Sequence, residues 1–170
     1  MKRMSLAVVL AFLATGCSSS PAPAPAVVNP TFTAQLLPAN ETPPITTGGE
    51  SAASGNVTIT FVTTKDAAGN VTSAVGTAVV NLQGFPSDSS ITLAHIHTGA
   101  AGVKGAVLEN FIPASTVPLT NGAGSFTQVN TTIAGSDATN IMNNPAGFYF
   151  NVHTQANPGG VIRGQLVRTQ

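Results

Sequence analysis

The 170-residue chain carries three histidines, and they fall in two short motifs. His95 and His97 stand as His-Ile-His within Leu-Ala-His-Ile-His-Thr-Gly, and His153 closes Phe-Tyr-Phe-Asn-Val-His-Thr. In an extended strand successive side chains alternate between faces, so His95 and His97 share a face with Ile91 and Leu93. The same count puts His153 beside Tyr149 and Asn151, with Phe148, Phe150 and Val152 on the other side. Three neutral imidazoles aimed at one point are a sufficient ligand set for Zn²⁺ or Cu²⁺, with a position left for water. Two plainer uses compete with that one. Strand histidines can form a polar cluster bonded to carbonyls, or a contact surface for another molecule. Residue types and spacing leave the three uses open.

Two charges sit inside motifs, Glu41 before Thr-Pro-Pro and Arg163 in Ile-Arg-Gly-Gln. They can pair with each other and pin the Pro-Pro loop to the last strand. Alternatively Arg163 attracts an anion, or Glu41 orients an imidazole N–H beside the histidines. Gly99, Gly102 and Gly105 shape a turn-rich loop after His97; a phosphate site there would want a following helix, which the sequence does not offer. The chain has no HExxH pair, P-loop, CxxC or Gly-x-Ser-x-Gly nucleophile context. No catalytic residue is assigned.

The elements that must position these residues read as strands. Phe32, Ala34 and Leu36 alternate with polar neighbours, as do Val57, Ile59 and Phe61. Lys-Asp-Ala-Ala-Gly-Asn at 65–70 is a turn, and the strand returning over 71–82 makes a hairpin. Further strands are expected at 91–98, 104–112, 123–131, 147–154 and 161–168. One helix is expected at 136–144, capped by Ser136, with Asp137 in its first turn and Pro145 as its stop. About eight short strands with regular turns give an all-β, Greek-key β-sandwich of the immunoglobulin-like or superoxide-dismutase-like kind, over residues 31–170. Charged residues make up 7% of the chain, against about a quarter in ordinary domains. Beyond residue 16 there are four positive and six negative side chains, a net of −2 with histidines neutral. That leaves no basic patch for nucleic acid.

The N-terminus reads as an export signal. Lys2 and Arg3 precede an apolar run from Leu6 to Leu13, too short for a lasting transmembrane helix. Leu-Ala-Thr-Gly-Cys at 13–17 resembles the bacterial lipobox, with Ala where that signal more often has Leu. The resemblance implies cleavage after residue 16 and a diacylglycerol on Cys17, the only cysteine, which also excludes an intramolecular disulfide. Two or three acyl chains anchor a protein stably, at about 0.8 kcal/mol per buried CH₂. Ser18 in place of the Asp that retains lipoproteins at the inner membrane points to the outer membrane if the source is Gram-negative. Residues 17–30 carry alternating Pro and Ala, a polyproline tether reaching roughly 40 Å.

Four segments taken together resemble the CHRD domain, the chordin-type module also found in bacterial exported proteins. They are Phe-Thr-Ala-Gln-Leu-Leu-Pro-Ala-Asn-Glu-Thr-Pro-Pro at 32–44, Ala-His-Ile-His-Thr-Gly-Ala-Ala-Gly-Val-Lys-Gly-Ala-Val at 94–107, Gly-Phe-Tyr-Phe-Asn-Val-His-Thr at 147–154 and Asn-Pro-Gly-Gly-Val-Ile-Arg-Gly-Gln-Leu at 157–166. Val161 departs from the family's usual Glu. The resemblance implies an extracytoplasmic β-sandwich without a settled activity. There is a looser likeness to copper–zinc superoxide dismutase, but no fourth histidine to build a bimetallic centre. The sequence therefore reads as a lipid-anchored, non-enzymatic binding module of the cell envelope, with the membrane and an envelope or extracellular protein as partners. The competing reading is a mononuclear copper or zinc protein using His95, His97 and His153 for metal handling or redox chemistry.

Overall fold

The computed structural model describes residues 28–112 and 115–170; the signal at 1–16, Cys17 and most of the tether lie outside the described residues. Among the described residues the strands are β1 (Thr31–Leu36), β2 (Ser54–Lys65), β3 (Val71–Gln83), β4 (Ser90–Thr98), β5 (Val107–Asn110), β6 (Val117–Pro118), β7 (Gly124–Ala134), β8 (Phe148–Thr154), β9 (Ile162–Gln165) and β10 (Val167–Arg168), with one α-helix, α1 (Gly135–Asn143), before β8. They form two antiparallel five-stranded sheets. One runs β10-β1-β2-β3-β7; the other runs β5-β4-β8-β9, with β6 also on β4. This is the expected all-β sandwich. The β2–β3 hairpin closes where expected, because the Asp66 carboxylate accepts the N–H groups of Ala68 and Asn70 at 2.9 and 2.8 Å.

The inner faces hold the core. Val57, Ile59 and Phe61 of β2 and Ala78, Val80 and Leu82 of β3 meet Ala94 and Ile96 of β4 and Phe148, Phe150 and Val152 of β8. Each large side chain fully removed from water contributes roughly 1.5–3 kcal/mol. The period-2 pattern thus decides which side of β8 is core. Its other side is buried too: all seven residues of β8 are covered. Loops lie over that outer face, and there the functional side chains sit.

Four local expectations are corrected. Ten strands lie among the described residues rather than about eight, partly because the last segment breaks at Leu166: β9 pairs with β8, while β10 crosses to β1. The segment expected as strand from 104 pairs only from Val107, because Gly105 lies hard against the Thr98 backbone. Ile91 does not share the histidine face. A register shift between Ile91 and Leu93 on β8 absorbs one extra residue, which turns Ile91 into the core with Ala94 and Ile96. Finally, Ser136 does not cap α1. The helix starts at Gly135 behind Ala134, with no side-chain cap bond. A Cβ on Gly135 would stand 2.4 Å from the Val71 carbonyl oxygen, so close packing on β3 sets that boundary.

Candidate metal centre

Strands β4 and β8 are adjacent and antiparallel, with Leu93 opposite His153, His95 opposite Asn151 and His97 opposite Tyr149. That register puts His153 diagonal to His95 on the outer face, within reach of ring-to-ring contact. His95 Nδ1 lies 3.1 Å from His153 Nε2. One ligand nitrogen from each of His95, His97 and His153 can be chosen so that all lie within 4.8 Å of one another. The three residues are 6%, 8% and 5% exposed. The three histidines expected to share a face therefore share a point.

Two rings are held in a definite tautomer. His97 Nδ1 faces the Gly105 carbonyl oxygen at 3.2 Å and His153 Nδ1 faces that of Pro158 at 2.9 Å. A carbonyl only accepts, so both Nδ1 atoms carry the proton and both Nε2 atoms present a lone pair. His153 Nε2 accepts from His95 Nδ1–H, but His97 Nε2 is buried with no partner. Burial pushes all three rings below the usual histidine range, and the neighbouring imidazoles add to this for His95, which falls to about 4. Neutral rings with a free nitrogen are the form that coordinates metal. A tetrahedral ion at the usual Zn–N length would need its nitrogens about 3.3 Å apart, so the three rings would have to close in by roughly 1.5 Å at most to hold one.

The surroundings fix the rings. Tyr149 stacks on His97, with centroids 4.8 Å apart and planes 7° from parallel. Arg163 lies against Tyr149, its guanidinium carbon 4.4 Å from the ring centroid. Its hydrogen bonds go to the Asn40 and Val103 carbonyl oxygens and the Thr42 hydroxyl, rather than to Glu41. Arg163 therefore ties the loop after β1 to the loop after β4 and reaches the histidines through Tyr149. Glu41 is buried with one oxygen unpartnered; desolvation raises its carboxyl to about 7, against the lowering effect of Arg163. Gly105 serves both rings, because its carbonyl accepts a hydrogen bond from His97 Nδ1–H and its N–H donates to the Tyr149 hydroxyl at 3.3 Å.

Two participants were not singled out by sequence reasoning. Buried Glu50 accepts from Thr154 Oγ1 at 2.7 Å, Asn157 Nδ2 at 2.6 Å and Ser89 Oγ at 3.2 Å. It clamps the 154–158 turn whose Pro158 carbonyl holds His153. No local signal marks it, since it comes from the loop before β2. Asn151, on the same face as the histidines, is 3% exposed and its Oδ1 has no partner. Its place in the His153 motif was the available clue.

A family model described as CHRD domain matches residues 32–166. No curated protein and no solved structure matches the chain.

Proposed function

The chain belongs to the CHRD family, and from that premise we propose that it is a lipid-anchored envelope binding module that holds one Zn²⁺ or Cu²⁺ ion between His95, His97 and His153. The observation that carries the metal reading is the pair of fixed tautomers. The Gly105 and Pro158 carbonyls accept hydrogen bonds from the two Nδ1–H groups, which leaves the Nε2 lone pair of His153 against the His95 ring and that of His97 buried without a partner. A cluster built only for stability has no use for the orphan on His97, since an unmatched buried polar atom costs about 1–3 kcal/mol. Burial supports holding an ion rather than presenting it to a substrate, as closed sites are structural and open ones catalytic. Anchoring through Cys17 and the Pro/Ala tether rests on the sequence signals alone. An envelope or extracellular protein remains the proposed partner of the module.

Titration of untagged, metal-free protein with Zn²⁺ and Cu²⁺ tests the metal reading. The expected result is saturation at one equivalent with a raised melting temperature, since an ion that binds only the folded state stabilises it by mass action. A variant with all three histidines changed to Ala should show neither. Equal behaviour of the two proteins contradicts the reading.

A further inference from the structure

We infer that Asn151 is a fourth protein donor of this centre, its Oδ1 coordinating the ion beside the three imidazoles; this rests on the metal reading above. Asn151 lies opposite His95 across β4–β8 and opposite Arg163 across β8–β9, two residues along the strand from both Tyr149 and His153. Directly opposed residues have Cβ atoms about 4.5–5.5 Å apart, and i, i+2 neighbours share a face. The Asn151 side chain therefore stands on the outer face beside His95 and Arg163, in line with Tyr149 and His153. The loop after β8 packs on it: Gly160, at φ +121, has no Cβ, and one there would stand 2.4 Å from Asn151 Nδ2 and 2.8 Å from Oδ1.

Among the described residues, the buried side-chain atoms with no partner are Glu41 Oε1, His97 Nε2 and Asn151 Oδ1. The latter two are lone-pair acceptors on the same face of adjacent strands. A single cation between them satisfies both. Three imidazoles and an amide oxygen are four neutral donors, and the oxygen favours a divalent ion over Cu⁺, which prefers softer ligands.

The test compares Zn²⁺ affinity and the Co²⁺ absorption spectrum of the wild-type protein with those of Asn151→Leu and Asn151→Asp, all untagged. Asn151→Leu should weaken Zn²⁺ binding by about tenfold or more, taking the size seen for ligand-supporting groups as a floor. It should also change the ligand-field bands of bound Co²⁺. Asn151→Asp places an anionic oxygen at the same position and should tighten Zn²⁺ binding near neutral pH. If Asn151→Leu fails to fold, the affinity of Asn151→Asp decides. Wild-type affinity and an unchanged Co²⁺ spectrum in the folded variants overturn the assignment while leaving the three-histidine centre standing. Failure of the wild-type protein to bind any of these ions overturns both.

Discussion

His97 concentrates the chemistry of the site: its Nδ1 proton is committed to Gly105, its face to Tyr149 and its Nε2 to nothing. His97→Ala should abolish the metal-induced rise in melting temperature while the far-UV spectrum stays β-rich, and loss of both would make the ring merely structural. The acid–base behaviour follows from burial. An unfolded histidine titrates near 6.5, whereas these rings sit lower in the folded chain, His95 at about 4. The unfolded state then binds more protons, so the stability they confer is present above about pH 6.5 and is lost as pH falls toward 4. Glu41 has the opposite sign. Its carboxyl is raised from 4.5 to about 7, so the stability linked to its protonation is present below 4.5 and is lost as pH rises through 7. Thermal melts across pH 5–8 should show Glu41→Gln gaining on wild type toward the alkaline end, by roughly 1–2 kcal/mol after solvent screening. A parallel profile for the two proteins would remove Glu41 from this account.

Among the elements, β4 and β8 set the geometry and the loops after them set the chemistry. Much of the first part was legible. Alternation placed Phe148, Phe150 and Val152 inward and His153 outward, because a sandwich core leaves a strand one choice of face. The bulge that sends Ile91 inward was not legible, since one extra residue in a ladder leaves no mark on composition. Nor were the carbonyls of Gly105 and Pro158, because backbone groups have no sequence signature and loop closure decides where they point. Glu50 reaches the His153 turn from more than 100 positions away in the chain, a contact that only the tertiary fold creates. Gly105 offers a test at this scale. A Cβ there would lie 1.5 Å from the Thr98 carbonyl oxygen, so Gly105→Ala must displace the loop. It should cost more than the roughly 1–3 kcal/mol of ordinary overpacking and weaken metal binding as well. Gly102, at φ +78 with open space around it, is the control: Gly102→Ala should cost only about 1–2 kcal/mol of backbone strain and leave metal affinity unchanged. Equal effects from the two substitutions would show that Gly105 has no special part in holding His97.

At the scale of the whole molecule, the proposed tether and lipid would connect the sandwich and its buried histidine cluster to a membrane. The anchor is tested by Cys17→Ser, which should release the protein from membranes or leave its signal uncleaved; normal cleavage with continued membrane association would contradict lipidation. The tether proposed from the Pro/Ala sequence, roughly 40 Å if extended, would leave the domain free of the bilayer surface. Sparse charge in the domain leaves little electrostatic pull toward anionic headgroups, so membrane association should depend on Cys17 alone. The central claim is that the folded module holds an ion, and its most direct test is the metal content of untagged protein isolated from its native source. The expected result is about one equivalent of zinc or copper per chain, falling to background when His95, His97 and His153 are all replaced by Ala. Metal-free native protein, or the same content in the triple variant, would contradict it.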